Sequence, residues 1–311
     1  MKLIDCHCHL QDPRIYHQAP QLIRTALDCG VLCFVVNGTA EKDWALVKQM
    51  GEQYRSCIVP CFGLHPWYVA ERTPNWFDSL RGYFDSTPYA AVGEIGLDKG
   101  SHGKKISFTD QIQVFRQQLE LAKQLERPVS IHCVRAFGDL LEIMQSVGPF
   151  PQGAILHSYM GSAEMVPSLA KLGAYFSFSG FLFSMKQLKA KKMLKMVPAE
   201  RILLETDSPD GLPESNMGSS QQDPGDVSSS MKENHRQPGE APTPIVGDSL
   251  NQNRASDDVP TSPTETSNHP ANISKVLEYV AHLLDMSEEE VAEISYNNAV
   301  RLFSYPGSEI S

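Results

Sequence analysis

The chain has 311 residues, 41% of them apolar and 21% charged, with a formal charge of −10 at pH 7. Such a length can bury a core without disulfides, and no apolar run approaches the roughly 20 residues of a membrane-spanning helix, which excludes a helical membrane protein. Ten acidic and three basic residues lie between 210 and 271, so −7 of the charge sits there and −3 elsewhere; the nearly balanced remainder does not exclude a phosphodiester substrate.

In chain order, short runs rich in Val, Ile, Leu and Phe recur, each followed by a polar turn and a longer stretch with helical spacing. They predict strands over 2–9, 31–39, 57–65, 89–97, 128–133, 153–158, 174–179 and 202–207. The intervals leave room for one helix and two loops each time. In ISFTDQIQVFRQQLELAKQLER, for example, Ile112, Phe115, Leu119, Ala122 and Leu125 fall along one face. Eight such units predict an α/β fold, a single-domain (β/α)8 TIM barrel, with an open doubly wound sheet as the runner-up. The stretch 214–270 is dense in Ser, Pro, Gly, Asn, Gln and Asp and contains no Phe, Tyr or Trp. It cannot bury enough apolar surface to offset its ordering entropy, so a disordered insert is expected after strand eight, with 1–213 and 271–311 forming the barrel. NISKVLEYVAHLLD then predicts a helix, and Ser287 with Glu290 has the spacing of a capping box opening a last helix through Leu302. The seven cysteines are scattered and odd in number, and the N-terminus lacks a secretory pattern. Reduced thiols and a cytoplasmic or nuclear location are expected.

The first strand carries DCHCHL at 5–10. Alternation puts Asp5, His7 and His9 on one side and Cys6 and Cys8 on the other, so histidines or cysteines, not both, should face the barrel mouth. The histidines have partners elsewhere. Glu94 in AAVGEIGLD, His132 in PVSIHC, His157 in GAILHSY and Asp207 in ILLETDSP each sit at or near the C-terminal end of a later strand, the ends that converge on the active-site face of a barrel. Any one of them alone reads as a satisfied polar residue. Four imidazoles and two carboxylates at one mouth are best explained by cations, because buried unpaired carboxylates cost several kcal/mol.

The stretches IDCHCHL, CFGLHP, AVGEIGLD, SIHC, ILHSYMGS, SFSG, ILLETDSP and the closing HPANISKVLEYVAHLLDMSEEEVAEISYNNAVRLF resemble the TatD family of metal-dependent deoxyribonucleases in the amidohydrolase superfamily. The resemblance spans everything except the insert. It implies a TIM barrel, two divalent cations (Mg2+, Mn2+ or Zn2+), and hydrolysis of DNA phosphodiester bonds by water activated at the cations, often as a 3′→5′ exonuclease on single-stranded DNA or a free 3′ end. Carried over residue by residue, it makes His7, His9 and Asp207 ligands of one cation and His132 and His157 ligands of the other. Glu94 bridges them at about 3.5–4 Å, and Asp207 doubles as the group that orients or deprotonates water.

His65, in GLHP, has no ligand position in that scheme and resembles a contact to the scissile phosphate, the alternative being a capped turn before Pro66. Trp67 could stack on a base or pack on a neighbouring loop. Glu205 points the same way as Asp207 and is a candidate acceptor for a ligand histidine. Val134 stands where many relatives have Arg, and Arg135, one place later, is turned away by alternation, which puts the grip on substrate in question. The five lysines of SMKQLKAKKMLKMVP read as a solvated face rather than a nucleic-acid track, and His102 as surface. Two rival functions share these features: an amidohydrolase or small-molecule phosphodiesterase using the same centre, and a non-catalytic adaptor whose insert recruits a protein partner. Deleting residues 215–268 is expected to leave the melting temperature unchanged.

Overall fold

The computed structural model describes residues 1–213 and 267–308, and the insert positions 214–266 lie outside them. All eight predicted strands are present: β1 Leu3–Cys8, β2 Val31–Asn37, β3 Ile58–Phe62, β4 Ala91–Asp98, β5 Val129–Val134, β6 Ala154–Leu156, β7 Ala174–Phe178 and β8 Ile202–Leu204. They pair in parallel in sequence order. The sheet closes where the Asp207 N–H donates to the His7 carbonyl (2.9 Å) and the His9 N–H to the Ser208 carbonyl (2.7 Å). The barrel is the TIM barrel expected, not the open sheet.

Around it run α1 Ala19–Asp28, α2 Glu41–Gln53, α3 Trp76–Ser86, α4 Phe108–Leu125, α5 Phe137–Val147, α6 Val166–Lys171, α7 Gln187–Met196, α8 Ile273–Leu284 and α9 Glu288–Phe303. The capping box forms as read: the Ser287 hydroxyl accepts from the Glu290 N–H while Glu290 takes the Ser287 N–H. No helix among the described residues is long and apolar enough to cross a membrane.

Two apolar clusters divide the interior. Ile4, Cys33, Val35, Cys61, Ile155 and Leu203 pack with Leu302 and Phe303 of α9, a plug drawn from many strands at once, as in the layered interior of such barrels. The second cluster lies between sheet and helices and includes Phe34, Val36, Trp44 and Phe115. Cys6 belongs to the first and Cys8 to the second. The cysteines therefore do not share a side, and Asp5 does not follow His7 and His9. Its carboxylate instead accepts from the Thr206 N–H and hydroxyl (2.9 and 2.6 Å). Alternation fails because the β1 register shifts between Asp5 and Cys8, and β4 shifts likewise between Val92 and Ile95. Both irregularities fall beside the residues the site needs, and re-aiming a side chain is what a bulge does. Gly93 shows why β4 can bend there: at φ +148°, a Cβ would lie 2.8 Å from both Asn37 Oδ1 and Ser130 Cβ.

Buried glutamines of α4 hold two strand ends. Gln118 accepts from the Leu64 N–H (2.7 Å) and donates to its carbonyl (3.1 Å), and Gln111 does the same for Asp98 (2.8 and 3.1 Å). These amides satisfy backbone groups that would otherwise be buried unpaired.

Residues 268–270, assigned above to the insert, belong instead to the barrel's packing. Asn268 is buried; its amide donates to the carbonyls of Thr206, Asp210 and Gly211, and its own carbonyl accepts from the Ser208 hydroxyl. A deletion of 215–268 removes this knot and is no longer expected to be neutral. Asn268→Ala should destabilise the fold by about 2–4 kcal/mol, since several buried carbonyls lose their donor. A chemical denaturation midpoint measures it, and an unchanged midpoint refutes the role.

Candidate metal centre

The strand ends bring His7, His9, Glu94, His132, His157 and Asp207 together, with His65 among them. His7 Nε2 and His9 Nε2 are 3.2 Å apart, lie 3.5 and 3.3 Å from Glu94 Oε2, and lie 3.6 and 3.4 Å from Asp207 Oδ1. Donors held about 2.1 Å from a tetrahedral ion are themselves about 3.4 Å apart; His7, His9 and Glu94 meet that spacing as one group, and Asp207 Oδ1 meets it against both histidines. The other carboxylate oxygen, Glu94 Oε1, is 3.1 Å from His132 Nδ1 and 2.9 Å from His157 Nε2, which are 3.3 Å from each other. This second set has three donors. Among the described residues Asp207 Oδ1 is buried without a hydrogen-bond partner, an orphan that a cation would satisfy.

The outer nitrogens sort the imidazoles. His9 Nδ1 must donate to the Asn37 carbonyl (2.8 Å), which in the neutral ring leaves a lone pair on Nε2 facing the site. His7 Nδ1 meets the Ser130 hydroxyl (2.8 Å), His132 Nε2 meets Asp98 Oδ2 (3.3 Å), and His157 Nδ1 lies 3.5 Å from Glu205 Oε1. Each faces an outer group able to accept its proton, at hydrogen-bond distance for His7, His9 and His132 and at a longer ion-pair distance for His157, the arrangement that fixes metal-binding histidines. His65 is reversed. Its Nδ1 accepts the Trp67 backbone N–H (3.1 Å), and burial holds its pKa down at about 4, so the neutral ring carries its proton on Nε2, 3.4 Å from Glu94 Oε1. Although spacing alone groups His65 with Glu94 and His132 as possible ligands, His65 presents a donor to the site rather than a lone pair.

Glu205 is anchored by the Ser158 N–H (2.7 Å), the Ser158 hydroxyl (2.6 Å) and the Ser177 hydroxyl. Trp67 packs on the neighbouring loop that carries His102, and its indole N–H donates to Asp98. His102 is not a free surface residue; its ring lies 4.5 Å from that of Trp67. Lys191 and Lys195 pair with Asp285, and Lys192 with Glu164, which matches a solvated helix face. Arg135 sits exposed at φ +54°, a left-handed conformation for which strand alternation does not hold. Asp98 received no role from the sequence. The signal was there: it is four residues beyond Glu94 on one strand, an even spacing.

Burial raises the pKa of Glu94 and lowers those of the imidazoles, but here mutual attraction outweighs it for most of them. Glu94 is held well below the usual carboxylate range by His65, His157, His7 and His132. Against burial, Asp207 and Glu94 push His9 up, Glu94 and Glu205 push His157 up, and Asp98 and Glu94 push His132 up. In the metal-free chain these imidazoles therefore hold protons at and above ordinary histidine pH, and a cation must displace them. Binding should weaken as pH falls, and proton release on adding Zn2+ should shrink as pH is raised past the elevated pKa values. Indicator-dye titration in weak buffer reads this, and pH-independent release contradicts it.

A sequence model of the family described as TatD related DNase matches residues 4–304. The chain is 25% identical to the human Deoxyribonuclease TATDN3 over 97% of its length and 94% of that protein. It is 28% identical to the uncharacterized metal-dependent hydrolase YabD of Bacillus subtilis, covering 97% and 98%. It is also 28% identical to a 3′-5′ ssDNA/RNA exonuclease TatD of a Pantoea species, covering 68% and 81%. Among solved structures, the TatD homolog YjjV of Escherichia coli superposes with a TM-score of 0.75 at 22% identity, covering 98% of each chain, which shows the shared fold.

Proposed function

The chain belongs to the TatD-related DNase family, and on that premise we propose that it is a two-cation deoxyribonuclease that shortens single-stranded DNA from a free 3′ end. The observation that carries the reading is the sorting of imidazoles around Glu94: four backed by groups able to accept a proton, and one, His65, aimed inward as a donor.

His7, His9, Asp207 and Glu94 would hold one cation, and His132, His157 and Glu94 the other. Bound there, divalent cations polarise the phosphoryl group and lower the pKa of a neighbouring water. Glu94 orients both sets because its two oxygens face different histidines. Asp207, whose Oδ1 faces His7 and His9 and whose second oxygen is left over, holds the attacking water and takes its proton. His65 Nε2–H donates to a non-bridging phosphate oxygen as charge builds on it. Asn37, Ser130 and Glu205 keep their ligand rings in the orientation this needs. A glutamate in the bridging place, where C–N-cleaving relatives in the superfamily commonly use a carboxylated lysine, favours phosphodiesters over amides. A cytoplasmic or nuclear location suits the free cysteines of the described residues.

The test is a 5′-labelled single-stranded oligonucleotide incubated with metal-loaded protein. A descending ladder is expected; immediate release of the labelled terminal nucleotide would reverse the polarity, and no shortening above a Glu94→Ala control would end the nuclease reading.

A further inference from the structure

Asp98 is the best-anchored carboxylate at the mouth and none of the chemistry above uses it directly. It is buried, 2% exposed, at the end of β4. Gly100 N–H donates to its Oδ1 (2.5 Å), and Trp67 Nε1–H and His132 Nε2 both meet its Oδ2, the latter at 3.3 Å. Its backbone is clamped by Gln111, and Gly103 packs so close that a Cβ there would come within 2.2 Å of the Asp98 carbonyl oxygen. Lys99, the adjacent cation, is turned to Asp139 (2.7 Å) and over the Phe108 ring. Among the described residues the ion-pair partner of Asp98 is His132. Donors from His132, Trp67 and Gly100 converge on its two oxygens, so the geometry places it as an acceptor.

We infer that Asp98 is a positioning residue for the second donor set, taking the Nε2–H of His132 so that Nδ1 offers its lone pair beside Glu94 and His157, with the Trp67 indole locking the carboxylate in that pose. This rests on the reading that the set binds a cation. Trp67 thereby serves two histidines, since its backbone N–H fixes His65 and its side chain fixes the partner of His132. In Asp98→Asn the carboxamide can keep one acceptor, but its amino group must face the Gly100 N–H, the Trp67 N–H or the His132 N–H, each a donor. Loss of such a partner typically weakens metal binding 10–100-fold.

The experiment is Zn2+ affinity by chelator competition, with ion count at saturation, on the full chain and on Asp98→Asn and Trp67→Phe. Asp98→Asn is expected to bind Zn2+ about 10–100-fold more weakly with an unchanged ion count, and Trp67→Phe to lose a smaller factor in the same direction with its metal-free melting temperature unchanged. Affinities within twofold of the parent in both variants would overturn the inference, as would an ion count one lower in Asp98→Asn, which would make Asp98 a ligand. Should Asp98→Asn not fold, Trp67→Phe decides alone: unchanged affinity overturns the inference. A parent chain that binds no Zn2+ would sink the metal-centre reading itself, and this inference with it, whereas a parent that binds normally beside unaffected variants sinks only the inference.

Discussion

Glu94→Gln is expected to strip the cation from one donor set, to weaken binding at the other, and to lower DNA hydrolysis by about 10³–10⁴-fold, the scale of losing acid–base and electrostatic stabilisation together. The substitution conserves volume but replaces one oxygen with an amino group amid imidazole nitrogens at 2.9–3.5 Å. Whichever way the amide turns, one set loses its acceptor and gains a facing donor. Elemental analysis after dialysis measures the first effect and the oligonucleotide ladder the second; retained ions with full activity would show that Glu94 is not shared. The same variant changes stability without metal. A carboxylate whose folded pKa is depressed stabilises the fold above its ordinary value of 4.5, and that stability is lost as pH falls through the folded value. On the alkaline side it fades as His9, His132 and His157 release the protons Glu94 helps retain. Glu94→Gln should flatten both limbs of the metal-free stability profile.

The order of strands and the convergence of the six residues were legible because each depends on a short local pattern: an apolar run, a polar turn, and a His, Asp or Glu near the run's end. A barrel then does the rest, since its topology gathers all strand ends at one face. Three features were not legible, for separate reasons. Cys6 and Asp5 defied alternation because a register shift is set by contacts with the neighbouring strand and not by the sequence of β1. Asn268 was lost inside a polar stretch, because an amide buried by three carbonyls and one exposed to water are the same letter in a sequence. The inward donor of His65 depends on a backbone N–H two residues on, so only the geometry of the Pro66–Glu71 turn could assign its tautomer. Glu205 is readable from its spacing to Asp207, and Asp98 stands at an equally regular distance from Glu94.

Asp207 presents the sharper test of chemistry because its backbone and side chain can be separated. It sits at φ +56°, in the left-handed region, with its N–H on the His7 carbonyl (2.9 Å) and its carbonyl accepting from the Asp210 N–H (2.8 Å). Asparagine tolerates that conformation nearly as well as aspartate, whereas alanine is strained there by about 1–2 kcal/mol. Asp207→Asn should therefore melt above Asp207→Ala, having lost only the attraction to His9, and still lower hydrolysis by about 10²–10⁴-fold, the worth of a positioned general base. Cation binding should weaken at the set formed with His7 and His9 and persist at the set formed by His132, His157 and Glu94. Asp207→Ala should lose the same activity and melt lower as well. Equal activity in Asp207→Asn and the parent would move the base elsewhere, and equal melting of the two variants would mean that the left-handed turn is not held by residue type.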